Sequence, residues 1–510
     1  LEKIFEKRKS NGVLFIYKYK FFILNAGFRS QLTKIPMSFA NLKNSYSSGK
    51  IHFIGIGGIG MSAIALILNK IGCQIQGSDL SQNNNTKVLE NLGIKCFVGH
   101  KEENLTDDVI LVVETSIVKP TNPELLKAKA RNIPIIRRAD MLAQIMGEKK
   151  GITVAGTHGK TSTTAMIAVL LESAGLDPMV INGGIINYFG SNAKFGEGRF
   201  VVAESDESDA SFVDLPSFIG VVNNIEPEHL EFYGGDFELV KTYYKRYITQ
   251  IPANGLVAMC IDDLEVKKLY LELSKTQNNL VSLSIKDENA DYFGFNISLA
   301  AAGLKFDVKI KKNGHILKDI RMPAYGIHNV KNALAPVAIG IFLNLSEEQI
   351  KQGLINFSGV QRRFTKTGEV NGITIIDDYG HHSTEIKAVF GAARAILPNN
   401  KLIVVFQPHK YTRTQDLFTE FCNAFGDVDV AIIADIYSAG QDPIQGINSD
   451  VLVDGIKKTG HQNVFKLNGE NDLPQIIKEH AQAGDVVICI GAGSISNWAH
   501  NLPNKLKEIL

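Results

Sequence analysis

Nine residues, Val154-Ala155-Gly156-Thr157-His158-Gly159-Lys160-Thr161-Ser162, constrain the fold more than any other segment, because they set a glycine turn between an apolar strand pattern and an apolar helical run. Strand, phosphate turn and helix in that order belong to a layered α/β protein with a mainly parallel sheet. Amides exposed by Gly156 and Gly159, with the helix dipole behind them, would cradle phosphates. Lys160 would neutralise the phosphate charge, and Thr161 would offer a hydroxyl to Mg²⁺. ATP is the ligand this segment points to. The spacing departs from the full Walker pattern, since Val154 stands where its first glycine belongs and the glycine comes at Gly156. A Gly-Lys turn that merely joins strand to helix is the plainer alternative.

At 510 residues the chain has room for about three domains, and 45% apolar with 21% charged residues is ordinary for a globular protein. A net charge of +1 gives no general attraction for nucleic acid or an acidic membrane, so an anionic substrate must be met by local positive groups. Cys73, Cys96, Cys260, Cys422 and Cys489 are scattered and form no C-x-x-C pair, which fits a reducing, cytoplasmic compartment without structural zinc. Val13 to Phe28 is apolar and aromatic, but Lys18 and Lys20 interrupt it, so no stable membrane insertion is expected. No small-residue cleavage site follows it. The chain opens on Leu1 and Met37 precedes the first clear strand, so residues 1–36 are expected to be upstream sequence outside the working protein. A basic amphipathic arm is the alternative. Residues 1–49 together read as an N-terminal extension.

Three blocks of alternating strand and helix patterns follow. In the first, residues 50–147, the run Ile51-His52-Phe53-Ile54 enters Gly55-Ile56-Gly57-Gly58-Ile59-Gly60-Met61, and Asp79 ends a second strand about twenty residues on. Alone, this G-x-G-x-x-G turn reads as an NAD site. Its physics is broader, because a glycine turn at a helix N-terminus accepts any diphosphate, that of a UDP-sugar included. Tight strand–helix packing is the structural alternative. Val109 to Glu114 then leads to Thr115-Ser116, and the polar cluster Gly147-Glu148-Lys149-Lys150 marks a boundary.

The second block, residues 148–358, sends two strands into polar clusters: Phe200–Ala203 into Glu204-Ser205-Asp206-Glu207-Ser208-Asp209, and Ile219–Ile225 into Glu226-Pro227-Glu228-His229. Ligands of open parallel sheets collect at strand carboxyl ends, so Glu204 and His229 are candidate Mg²⁺ ligands. A solvated acidic loop and a structural histidine are the plain alternatives. Further on, Gly326-Ile327-His328-Asn329-Val330-Lys331-Asn332 opens an apolar helix whose asparagines would cap it or read an adenine edge, and the residues alone favour capping. The third block, residues 359–510, holds Gln361-Arg362-Arg363-Phe364, then Ile373–Ile376 ending in Asp377-Asp378-Tyr379-Gly380-His381-His382, then Leu402–Phe406 ending in Gln407-Pro408-His409-Lys410-Tyr411-Thr412-Arg413. Arginine forks suit phosphate or carboxylate, and histidine with aspartate suits an ammonium group or a proton transfer.

The segments HFIGIGGIGMS, AGTHGKTSTTAM, VVAESDESDASF, GVQRRF, IIDDYGHHSTEI and FQPHKYTRT, in this order, resemble the Mur ligases over about residues 50–500. The resemblance implies a Rossmann-like N-terminal domain for UDP-N-acetylmuramate, a central P-loop ATPase domain, and a Rossmann-like C-terminal domain that brings the amino acid. It implies an ATP-dependent ligase that activates the muramoyl carboxylate as an acyl phosphate and joins it to L-alanine, a cytoplasmic step of peptidoglycan synthesis. Carried over residue by residue, Lys160, Glu204, His229 and Arg363 would serve the chemistry, with Thr161, Glu204 and His229 placing the metal. Gly156 to Ser162, with Thr157 and His158 among them, and His328, Asn329 and Asn332 would hold ATP, and Arg362 or Arg363 would reach its phosphates. Gly57, Gly58, Ile59, Gly60, Met61, Asp79, His100 and Ser116 would serve the UDP moiety. Tyr379, His381, His382, His409 and Arg413 would line the alanine pocket. Lys410 stands where relatives often carry Arg, and Ser383 where Pro is common. The boundaries near residues 148 and 358 are expected to act as hinges, and the protein to be a monomer or homodimer. The competing readings are a recycling ligase that adds a whole peptide to the same sugar, a P-loop switch or transport ATPase, and a nicotinamide dehydrogenase.

Overall fold

The computed structural model of the chain describes residues 39–300 and 303–509; the apolar arm Val13 to Phe28 and Met37 lie outside them. Each block of the sequence supplies its own sheet. The first sheet runs Lys95–Val98, Gln74–Asp79, Lys50–Ile54, Val109–Glu114, Ile135–Arg137, and every neighbouring pair is parallel. That order reverses at Lys50–Ile54, the switch-point arrangement of a Rossmann-like domain. Ile51 lies opposite Ile75 and Leu111.

The second sheet has ten strands. Its centre sets Lys150–Ala155 between Ser217–Val222 and Phe200–Glu204, so the carboxyl ends of three neighbouring strands deliver the phosphate loop and both acidic clusters to one rim. Ser217–Val222, Leu256–Cys260, Leu280–Ser284 and Tyr292–Ala300 pair in parallel, and an antiparallel ribbon through Gly303–Ile310 and Ile316–Met322 extends that edge. The helix Lys160–Ser173 lies behind the phosphate loop, and its residues from Thr163 to Leu171 are all buried. A helix covered on every side shows no amphipathic stripe, which is why its pattern reads as one apolar run. It packs against the helices Ile327–Phe342 and Glu347–Ile355.

The third sheet runs Thr365–Val370, Ile373–Asp378, Val486–Ile490, Leu402–Phe406, Val430–Ile433, Val464–Lys466, antiparallel only in its first pair. The strand expected over Ile373–Ile376 continues to Asp378, and that expected over Ile219–Ile225 stops at Val222. Beyond Val222 the Asn223 amide still donates to Ala155 O (3.0 Å), while the Asn223 and Asn224 side chains hold the phosphate loop. Just before this sheet, residues 358–361 are stitched to the strand Met179–Ile186 and the residue after it: Asn187 donates its amide to Gly359 O (3.1 Å), Gln361 its amide to Ile185 O (2.9 Å), and Ile186 bridges Val360. The expected flexible boundary at residue 358 is thus pinned by backbone hydrogen bonds.

By internal contacts the chain forms two compact units, one holding the first sheet through Gly151 with Asp214–Pro216, the other holding the second and third sheets. Among the described residues no helix is long and apolar enough to cross a membrane.

Candidate active site

The phosphate loop closes on itself. Gly156 (φ 139°) and Gly159 (φ 78°) adopt backbone conformations that side chains disfavour, and Gly159 stands at the N-terminus of the helix that begins at Lys160. A Cβ on Gly159 would lie 2.7 Å from Asn332 Oδ1, so the second turn of the helix Ile327–Phe342 roofs the loop. The Lys160 ammonium donates to Gly156 O (2.6 Å), Thr157 O (3.1 Å) and Glu207 Oε1 (3.0 Å). Burial opposes its charge, but Glu207, Asp206 and Glu204 outweigh that and raise its pKa, so Lys160 is a cation at any working pH. Thr157 Oγ1 accepts from the Glu226 amide (2.9 Å), and the His158 amide donates to Asn224 Oδ1 (2.7 Å). Ser162 sits half-buried in the first helical turn.

Two of the candidate metal ligands meet directly: Thr161 Oγ1 donates to Glu204 Oε2 (3.0 Å), which also accepts from the Gly183 amide (2.9 Å). The third, His229, joins Glu207 and Glu228 instead, the three offering donor atoms within 4.8 Å of one another. Burial works against its protonation, yet Glu231, Glu228 and Glu207 raise its pKa. The oxygen donors of Thr161, Glu204, Glu207 and Glu228 are of the kind a hard divalent cation such as Mg²⁺ takes, and the imidazole of His229 is a softer donor. His158, Glu226 and His382 are equally close together. There the positive charge is already supplied, because Glu226 and Glu385, 3.3 and 3.2 Å from the two ring nitrogens of His158, overcome burial and raise its pKa to about 10. While it is an imidazolium, both His158 ring nitrogens carry hydrogen and face the two carboxylates.

The third sheet brings a row of rings to this rim. Tyr379 lies under both guanidiniums, Arg362 at 4.8 Å and Arg363 at 5.3 Å from its ring centre. Beyond it stand His381 (5.2 Å between ring centres), His409 (5.7 Å) and Tyr437, stacked on His409 at 5.6 Å. Burial and the nearby cation Arg413 push the His381 pKa down to about 4, and burial with His381 and Arg413 pushes His409 to about 3. Both imidazoles are therefore neutral at neutral pH, and His409 Nδ1 accepts from the Arg413 guanidinium (3.2 Å). Arg413 donates to Glu228 Oε1 (2.8 Å), tying this row to the second sheet. Arg362 also donates to Gly491 O (2.7 Å), and its chain turns through left-handed backbone at Arg362 (φ 60°) and Phe364 (φ 53°). Burial lowers the His328 pKa to about 4, with Lys331 and Arg363 adding to the effect. The expected asparagine cap is corrected here: the helix Ile327–Phe342 has no side-chain cap, Asn329 donating instead to Tyr325 O (2.7 Å) and Asn332 to Asn329 (3.3 Å).

In the first unit, the Gly57 amide donates to Asp79 Oδ2 (2.9 Å), so the acid braces the glycine turn. Gly58 and Ile59 are exposed at the helix start, Gly60 is half-buried, Met61 is buried, and Ser116 is exposed after the strand Val109–Glu114. His100 Nδ1 pairs with Ser78 Oγ (2.9 Å), and Ser78 in turn donates to the fully buried Glu124 (2.6 Å). Sequence reasoning missed Glu207, Glu226, Glu228 and Glu385 as individuals, although each stands in a polar run just after a strand. Glu207 is buried and the other three are half-buried, which separates them from a solvated loop.

Residues 50–150, 154–340 and 362–493 match the family models described as Mur ligase family, catalytic domain; Mur ligase middle domain; and Mur ligase, glutamate ligase domain. The chain is 46% identical over 465 residues to the UDP-N-acetylmuramate–L-alanine ligase of Rhodospirillum rubrum, an alignment covering 90% of this chain and 95% of that protein. To the protein of the same name from Brucella ovis it is 44% identical, covering 92% of this chain and 99% of that one. Among solved structures, the UDP-N-acetylmuramate-alanine ligase of Thermotoga maritima superposes with a TM-score of 0.78 at 28% identity, covering 90% of this chain and 99% of that one. The murein peptide ligase of Psychrobacter arcticus shares the fold, with a TM-score of 0.69 at 23% identity over 91% of this chain and 99% of that one.

Proposed function

The chain belongs to the Mur ligase family, and from that premise we propose that it joins L-alanine to the carboxylate of UDP-N-acetylmuramate at the expense of ATP. The observation that carries the reading is the meeting of a phosphate loop with a row of neutral imidazoles: Glu385 and Arg413 of the third block contact His158 and Glu228 of the second. A nucleotide-hydrolysing switch has no use for such a row. The alanine ligases named above are nearer in sequence than the murein peptide ligase, whose likeness is one of fold.

In this mechanism the loop amides and Lys160 hold the triphosphate, and Arg363 or Arg362 reaches its terminal phosphate from the third block. Asn332 above Gly159, with His328 and Asn329, flanks the nucleoside. Phosphoryl transfer to the muramoyl carboxylate needs position and charge neutralisation more than covalent help. Mg²⁺, when bound by Thr161 and Glu204 with His229, Glu207 and Glu228 near, would supply further neutralisation of the phosphate oxygens. The acyl phosphate so formed is attacked by the alanine amine, which must first lose a proton. His381, neutral near Tyr379, would accept it, while His409, whose Nδ1 accepts from Arg413, would line the pocket. The glycine turn at Gly57–Met61, with His100 and Ser116, serves the UDP-sugar. Five cysteines without a disulfide support a cytoplasmic setting.

The test is ADP release with UDP-N-acetylmuramate against a panel of free amino acids and one tripeptide. Release that requires the sugar nucleotide and L-alanine is expected. Release with the tripeptide only, or without any acceptor, would replace this reading with the recycling ligase or the plain ATPase.

A further inference from the structure

One carboxylate spans both halves of the site. Glu385 opens the helix Ser383–Ile396, and its Oε2 accepts from the amides of His381 (3.0 Å) and His382 (3.3 Å), the two residues that head the imidazole row. Its Oε1 faces His158 Nδ1 at 3.2 Å, within the phosphate loop itself. The other ring nitrogen of His158 meets Glu226, whose amide is held by Thr157 of the same loop. His158 and His382 also face each other, with ring centres 5.1 Å apart. Both side chains of the Glu385–His158 pair are largely buried, at 14% and 13% exposure, so the contact is screened little by solvent. Within hydrogen-bonding reach, no other described carboxylate joins the phosphate loop to the double-histidine segment in this way.

We propose that Glu385 is a positioning residue that fixes the spacing between nucleotide and amino acid, one oxygen setting the His381–His382 segment and the other setting the phosphate loop through His158. The inference rests on the ligase reading for the identity of the two ligands. The bland alternative is a helix cap: Glu385 is the third residue of its helix and completes a capping box with His382. A cap alone would change stability and leave substrate affinities alone.

Glu385→Gln keeps a cap acceptor for the two amides and removes the charge opposite His158. Glu385→Ala removes both. Steady-state kinetics should show Glu385→Ala raising KM for ATP and for L-alanine by about tenfold each, with calorimetric affinity for UDP-N-acetylmuramate unchanged. Glu385→Gln should keep the alanine KM near that of the unaltered protein while the ATP KM rises about fivefold, and should melt at the same temperature. His158→Ala should cost less on the Glu385→Ala background than alone, because the two residues share one contact. Additive losses, or an ATP affinity that neither Glu385 variant moves, would overturn the proposal; if Glu385→Ala does not fold, Glu385→Gln and calorimetric ATP affinity still decide. Absence of alanine-dependent ADP release in the unaltered protein would strike the ligase reading instead, and ATP affinity would still test the contact with the phosphate loop.

Discussion

Glu204 is held from two sides, by the Thr161 hydroxyl and by the Gly183 amide, and the second contact depends on a missing side chain. A Cβ on Gly183 would lie 2.3 Å from Glu204 Oε2. Gly183→Ala should therefore swing the carboxylate off Thr161 while leaving the melting temperature nearly unchanged, since only the end of a flexible side chain must give. Activity should fall by roughly tenfold to a hundredfold, with more Mg²⁺ needed for half-maximal rate. An unchanged Mg²⁺ titration would remove Glu204 from the cation site. His158 offers a second test, with a definite sign. Its pKa is raised from 6.5 to about 10 on folding, so its stabilisation is complete below pH 6.5 and is lost as pH rises through about 10. The difference in urea midpoint between the protein and His158→Gln should shrink steadily across that window. At this scale the sequence was readable in placing Lys160 and Thr161 at the head of a helix after a glycine turn, where the structure has them. It was silent on Glu207 and Glu385, because a buried carboxylate and a solvated one are spelled alike.

The helix Lys160–Ser173 joins chemistry to core: its first turn carries Lys160 and Thr161, and its remainder is sealed under two other helices. Gly353 in the helix Glu347–Ile355 permits that seal, as a Cβ there would lie 2.6 Å from Leu170 Cδ1 and 2.8 Å from its Cα. Gly353→Ala should destabilise the protein by about 1–3 kcal/mol through overpacking, visible as a lower urea midpoint, with kcat close to normal at temperatures where the variant is folded. A variant as stable as the parent would mean that the two helices can part without cost. Parallel strands such as Leu402–Phe406 and Val109–Glu114 were legible as apolar runs because they are buried on both faces. The ribbon from Tyr292 to Met322 was not, since its half-exposed strands place Lys305, Asp307 and Lys309 among buried neighbours and dilute the apolar pattern. Strand ends were the least legible: past Val222, Asn223 and Asn224 turn their side chains to the phosphate loop.

On the proposed function, the two compact units would divide the substrates between them. His100→Ala, in the first unit, should weaken UDP-N-acetylmuramate binding by about tenfold in calorimetry and leave ATP affinity unchanged. Lys160→Ala, in the second, should do the reverse and lower the rate by ~10² to 10³. Cross-effects of equal size on both ligands would argue against that division. The stitching of residues 359–361 to the strand Met179–Ile186 bears on motion within the second unit. Any rocking of the third sheet against the second must pivot after Gln361, which makes that sheet a lever with its fulcrum beside Arg362 and Arg363. Strands lie about 4.8 Å apart, so Leu402–Phe406, three places from the sheet's first strand, stands about 14 Å out, and Val464–Lys466, five places out, about 24 Å. A tilt of about 10° would then carry the His409 loop roughly 2.5 Å and the far edge roughly 4 Å while barely shifting the two arginines. On the proposed function, leverage of this kind would part Arg413 from Glu228 and open the amino-acid end of the site while the two arginines stay near the fulcrum.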